Sequence, residues 1–308
     1  MRVRTNPLDD AGIYEPDIRA AFELCRVLHA AYGGTSYFAA QLLPRAKRCH
    51  VDSLYAFALF ATRSADNPVA AWSLRDRVCA ELDAGTPSDP ITRALDHTMR
   101  VWGIPVEHVD TFFRSLLMDM TVEGYTTFEE LREYVWCSAV LGLQMVPLLE
   151  PLSDDAPERV ATLAEAFQLT NVVRDLADDL RRGRLYLPSA DLAHFGVTRA
   201  ELEAGVMTPE FQELIKFEIG RVRALYRFAE DGIEAVTPSS RPCLRTAAAW
   251  YCSVLDEIEA ADYRVLDPRV AARLSRRTMP VASAGSEPFG LRRKAGDPLP
   301  GLLVELSA

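Results

Sequence analysis

The chain lacks the long apolar runs that would place it in a membrane. Apolar residues fill 49% of its 308 positions, yet none of its apolar stretches approaches the roughly 20 residues that a bilayer-crossing helix needs. The opening segment, Met1 to Asp10, holds no apolar block, so no secretory leader is expected. Paired cysteines are missing as well. Cys25, Cys49, Cys79, Cys137, Cys243 and Cys252 are scattered, without a Cys-x-x-Cys pair or a histidine at zinc-site spacing. Such thiols read as reduced and buried, and the expectation is a soluble, cytoplasmic protein. His29, His50, His97, His108 and His194 form no ligand spacing, and surface or capping roles are expected of them. Dinucleotide-binding, P-loop and serine-elbow signatures are absent. Positive charge is in deficit, with a net charge of −10 and a pI near 5.1. That argues against nucleic acid as a partner and against broad attraction to anionic membranes.

Strand alternation is almost missing too, and helical periodicity takes its place. The spacing predicts helices over 17–31, 48–62, 70–84, 90–102, 106–122, 128–150, 209–235, 240–262 and 267–276, and another that starts between Ser153 and Pro157. Ser88-Asp89-Pro90 reads as a helix start, Thr127 with Glu130 as a capping box, and Gly33-Gly34 as a turn. No linker divides the chain. These features predict one all-α domain over 1–279 and a Pro- and Gly-rich tail over 280–308, with a basic knot at Arg292, Arg293 and Lys294.

The strongest positive signal is the run from Gln168 to Pro188. Asp175 and Asp179 lie four residues apart on one helical face, with Asn171 one turn earlier and Gln168 before it. Leu169, Val172, Val173, Leu176 and Leu180 form an apolar stripe beside them. Two carboxylates and an amide oxygen suit a hard cation such as Mg²⁺, so Asn171, Asp175 and Asp179 are the candidate metal ligands. An Asp-x-x-x-Asp pair alone is common on solvated surfaces. The exit through Arg181, Arg182, Gly183, Arg184 and Tyr186 sets this one apart, because it adds cations able to hold a polyanion. Asp119 and Glu123 make a second pair at the same spacing, read as solvated.

Residues 165–188 resemble the second aspartate-rich region of the squalene/phytoene synthases. The resemblance runs over about 20–275, through Ser36-Tyr37-Phe38, Leu42-Leu43-Pro44, Arg48, Leu54-Tyr55-Ala56-Phe57, Asp119, Tyr125, Phe128, Cys137 to Met145, Leu255, Ile258 and Tyr263. It implies the all-helical isoprenoid synthase fold, in which two aspartate-rich helices face a central cavity and bind prenyl diphosphates through Mg²⁺. It also implies roles. Asn171, Asp175, Asp179 and Tyr125 become catalytic candidates, and Ser36, Tyr37, Phe38, Gln168, Arg174, Arg184 and Tyr186 substrate contacts. Ser36, taken alone, reads as an N-cap. Tyr37, Phe38, Phe57, Phe60 and Tyr125 are candidates for holding a carbocation, with core packing as the competing reading.

The first aspartate-rich motif of that family is broken here. Thr62-Arg63-Ser64-Ala65-Asp66 stands where Asp-Asp-x-x-Asp would, and Leu59 where an Arg would. Arg63 becomes a candidate diphosphate contact, and Asp66 the residual metal ligand on that side. One intact motif suffices to ionise one prenyl diphosphate. The expected function is therefore a Mg²⁺-dependent prenyltransferase that passes a farnesyl or geranylgeranyl group to a non-isoprenoid acceptor. An indole is expected, such as a tryptophan-containing cyclic dipeptide, as in phytoene-synthase-like enzymes of secondary metabolism. The alternatives are head-to-head phytoene- or squalene-type synthesis, a single-substrate terpene cyclase and a non-catalytic isoprenoid-binding subunit. The expected partners are a prenyl diphosphate and a small aromatic acceptor, with neither nucleic acid nor an integral membrane segment. A greasy product implies transient membrane contact.

Overall fold

The computed structural model describes residues 6–275. The expected tail at 280–308, and the boundary before it, lie outside the described residues. The helices in chain order are α1 (Pro7–Asp10), α2 (Pro16–Tyr32), α3 (Thr35–Ala40), α4 (Arg45–Ser64), α5 (Pro68–Ala84), α6 (Pro90–Trp102), α7 (Glu107–Thr121) and α8 (Phe128–Leu149). They continue with α9 (Ala156–Arg174), α10 (Leu176–Arg181), α11 (Ser189–Phe195), α12 (Arg199–Glu203), α13 (Pro209–Glu234), α14 (Arg241–Ala260) and α15 (Pro268–Ser275). Among the described residues there is no strand, only isolated bridges at Gly124–Leu185 and Pro151–Val236.

Local chemistry sets the ends of these helices. Asp89 caps α6 by accepting from Thr92 N at 2.8 Å, and Gly103 ends it in the left-handed conformation. Thr127 accepts from Glu130 N at the start of α8. Most helices bury one face, but α4 is buried all round from Cys49 to Thr62. Most of α9 is buried too. Such helices belong inside a bundle. The helix α9 packs between α8 and α13, and α4 lies among α2, α6 and α8. A Cβ on Gly142 would fall 2.3 Å from Ala164 Cβ, so the glycine is what lets α8 and α9 approach.

Three local features depart from the sequence reading. The short helices α1, α3, α11 and α12 were not expected, since four to seven residues display too little of a helical period. The motif helix breaks at Asp175, between α9 and α10. The helix α7 ends at Thr121, so Glu123 is exposed beyond it and is not a helical partner of Asp119.

Candidate active site

The oxygen stripe survives the break at Asp175. Asp175 N donates to Asn171 O and Asp179 N to Asp175 O, both at 2.9 Å, so the one-turn spacing is kept. Asn171 and Asp179 are buried, at 0% and 1% exposure, while Asp175 lies partly open. Asn171 Nδ2 donates to Gln168 Oε1 at 3.2 Å. Its Oδ1 is buried without a hydrogen-bond partner, a state that costs free energy unless a ligand relieves it. Arg174 grips the neighbouring carboxylate, with Nε and Nη2 each donating to Asp175 at 2.7 Å. The donor set is all oxygen, with two carboxylates and an orphaned amide oxygen, and it fits a hard divalent cation.

The basic exit folds back onto this stripe. Gly183 takes a positive φ of 77°, which turns the chain so that Arg184 N donates to Asp179 O at 2.9 Å. Each arginine of the exit stands opposite an aspartate. Arg181 pairs with Asp178, Arg182 lies 3.8 Å from Asp179, and Arg184 lies 3.8 Å from Asp119. Tyr186 donates to Asp119 Oδ1 at 2.7 Å. Its ring joins Tyr125 and Tyr134 in a cluster with centroids 5.3–6.2 Å apart. Ser189 N donates to Tyr125 O at 2.9 Å, which ties the exit to the segment after α7. Tyr134 and the Asp119–Tyr186 bond were missed in the sequence, because no spacing rule joins residues 67 apart.

Beyond Gln168 lies an apolar cavity ringed by α3, α4, α8, α9 and α14. Small side chains keep it open: Ala39, Ala40, Ala139, Gly142, Ala164 and Ala247. Ser36 and Gln168 supply hydrogen-bonding groups to its wall. None of the candidate aromatics lines it, and core packing is the reading that holds for Phe57 and Phe60. Phe57 and Phe60 are core residues at 1% exposure, and Phe57 packs on Phe112 and Phe113. Phe38 is exposed at 40%. Tyr37 meets the edge of His29, and Tyr125 belongs to the tyrosine cluster. Ser36 is not an N-cap either, because it sits inside α3 behind Gly34. Nor do His29 and His50 lie at the surface, both being buried.

The remnant of the first motif lies at the end of α4. Thr62 is buried, Arg63 is half-buried with its guanidinium 5.9 Å from the Tyr32 ring, and Asp66 is exposed. Asp66 Oδ1 accepts from Asn67 Nδ2 at 2.8 Å. In this arrangement Arg63, not a carboxylate pair, is the charged group carried by the last turn of α4.

The sequence profile of the squalene/phytoene synthases matches residues 29–278. The chain belongs to the squalene/phytoene synthase family. It is 33% identical over 269 residues to a phytoene synthase of Arthrospira platensis, covering 81% of this chain and 87% of that one. A 15-cis-phytoene synthase of Synechocystis sp. is 33% identical over 271 residues, 82% of this chain and 80% of the relative. Among solved structures, a squalene synthase from Alicyclobacillus acidocaldarius superposes with a TM-score of 0.76 at 26% identity, over 84% of this chain and 99% of its own. A dehydrosqualene synthase has the same fold, with a TM-score of 0.76 at 24% identity over 89% of this chain and 98% of its own. These relatives overturn the expectation of indole prenylation by a secondary-metabolic enzyme and of a small aromatic acceptor. They are named phytoene and squalene synthases, which favours the phytoene- or squalene-type alternative, and the broken first motif did not justify a change of acceptor. The family acts on prenyl diphosphates. No helix among the described residues is long and apolar enough to cross a membrane.

Proposed function

We propose that the chain joins two allylic prenyl diphosphates head to head into a phytoene-type polyene. The observation that carries this reading is the continuity between stripe and cavity. Gln168 lines the cavity and also accepts from Asn171. A prenyl tail in the cavity therefore has its diphosphate at the oxygen stripe. The phytoene synthases similar to this chain over most of its length support the same reaction class.

Ionisation of an allylic diphosphate separates a cation from a highly charged leaving group, and that charge must be met as it develops. Asn171, Asp175 and Asp179 would hold Mg²⁺, which supplies Lewis-acid neutralisation of the leaving oxygens. Arg174 orients Asp175, and Arg184 extends the positive field of the exit. On the last turn of α4, Arg63 takes over from the missing aspartates as a direct diphosphate contact, and Asp66 contributes little. Tyr186 holds Asp119 beside the exit. The apolar walls keep water from the cation. Without a reductant the balance is fixed: two C–O bonds break, one C–C bond forms, a double bond forms, and two protons leave alongside two diphosphates. Six free cysteines support a cytoplasmic setting.

Incubation with Mg²⁺ and farnesyl or geranylgeranyl diphosphate is expected to yield a hydrocarbon of twice the donor's carbon number. A single-chain alcohol or a cyclised terpene as the sole product would contradict the proposal.

A further inference from the structure

A charge-relay arrangement lies behind the cavity wall at Ser36. His29 Nδ1 is 2.7 Å from Asp52 Oδ1, and its Nε2 is 3.0 Å from Ser36 Oγ. Ser36 Oγ is also 2.8 Å from Gly33 O. All three side chains are buried, at 0%, 3% and 6% exposure, and Ser36 lines the cavity. The imidazole is held on both sides. Tyr55 stacks on it with centroids 4.3 Å apart, and Tyr37 meets it edge-on at 5.3 Å. Gly33 leaves the ring its space, since a Cβ there would fall 2.2 Å from His29 Cδ2.

We propose that Ser36, backed by His29 and Asp52, is the base that takes a proton from the carbocation in the cavity. This rests on the coupling reaction proposed above, whose balance releases two protons per product. Asp52 on Nδ1 fixes the tautomer, so that Nδ1 carries a proton and Nε2 is free to accept one. The serine hydroxyl has two settings. With His29 neutral it donates to Nε2. With His29 protonated, Nε2–H donates to Oγ and the hydroxyl donates to Gly33 O, so that all three bonds are made at once. Proton transfer is thus matched by a swing of one hydroxyl. In the reacting step a C–H bond beside the cationic carbon breaks and its electron pair becomes the new double bond. The proton passes to Ser36 Oγ as the hydroxyl proton passes to His29 Nε2. Asp52 stabilises the imidazolium, and the Tyr55 face adds a cation–π contact. The proton returns through the same hydroxyl to an oxygen of a departing diphosphate, and the second of the two protons leaves by the same route. Ser36 is the catalytic residue, and His29 and Asp52 act through it.

The test pairs product analysis of Ser36→Ala and Asp52→Asn in the full chain with ¹⁵N-edited NMR. Ser36→Ala is expected to lower coupled hydrocarbon on the order of 10²-fold, while diphosphate release falls less and water-quenched prenyl alcohols rise. An unchanged hydrocarbon rate and product ratio in both variants would overturn the assignment. So would stoichiometric labelling of Ser36 by a fluorophosphonate, which would make it a nucleophile. The NMR arm needs no substrate: a protonated His29 Nδ1 is expected in the wild type and its signal lost in Asp52→Asn. A wild-type chain that forms no coupled product would sink the coupling reaction, and the relay would then stand or fall on that signal.

Discussion

Arg174 and Asp175 are sequence neighbours that bind each other through two parallel hydrogen bonds of 2.7 Å at the break between α9 and α10. The guanidinium presets one carboxylate of the stripe before substrate arrives, and positions it at the point where the helix yields. Asp175→Asn keeps the shape and removes the charge. Turnover is expected to fall about 10²–10³-fold, with circular dichroism nearly unchanged and a lowered thermal midpoint, because the buried Arg174 loses the Asp175 charge. Arg174→Ala leaves a largely buried carboxylate without its guanidinium and is expected to cost stability as well, about 3–5 kcal/mol, read from urea unfolding.

Arg63 and Asp66 separate the two sides of the broken motif. Arg63→Ala is expected to raise KM for the prenyl diphosphate about tenfold, as for a lost charge-assisted contact of 1.5 kcal/mol or so. Asp66→Ala is expected to shift kcat and KM less than about twofold, because its exposed carboxylate already accepts from Asn67 and surface groups of this kind contribute little. Steady-state kinetics of the two variants side by side decide it. A large loss in Asp66→Ala would restore a metal role to that residue.

The contact of α8 with α9 depends on a missing side chain. Gly142→Ala puts a methyl 2.3 Å from Ala164 Cβ, and the helices must part, at a cost of about 1–3 kcal/mol. Adding Ala164→Gly removes the clashing atom, and the double variant is expected to recover most of the loss, as contacting sites couple. Denaturant midpoints of the four proteins in the cycle test this.

Two buried groups give stability opposite pH slopes. Burial pushes the His50 imidazole down to about 3. A folded value below the unfolded one, near 6.5, makes its contribution complete above pH 6.5 and progressively lost as pH falls toward 3. Burial likewise pushes the Glu218 carboxyl up to about 8, with Asp191 reinforcing the rise and Arg221 opposing it. Its contribution is complete below its unfolded value, roughly 4.3, and is lost as pH rises through 8. Glu218→Gln is therefore expected to flatten the decline on the alkaline side, and His50→Gln the decline on the acid side. Urea midpoints at pH 5, 7 and 9 read both.

The long helices were legible because each repeats its apolar face over several turns, and the stripe at Asn171, Asp175 and Asp179 was legible because its partners are one turn apart. What escaped was non-local or short. His29 looked like a surface residue because its partner Asp52 is 23 positions away on another helix. Tyr134 joined Tyr125 and Tyr186 only through the return of the chain after Gly183. The aromatic residues near α3 and α4 stayed open between two readings for a different reason: hydrophobicity says that Phe57 and Phe60 are inside, but not whether they face a cavity or fill the core. The inference from a broken motif to a changed acceptor went beyond what a charge exchange on one helix can carry.

Head-to-head coupling consumes two prenyl diphosphates for each product. Its most direct measurement is the ratio of diphosphate released to coupled hydrocarbon formed, from geranylgeranyl or farnesyl diphosphate with Mg²⁺. Two to one, with both lost in Asp175→Asn, is the predicted result. Diphosphate released with only uncoupled prenyl products would contradict the account.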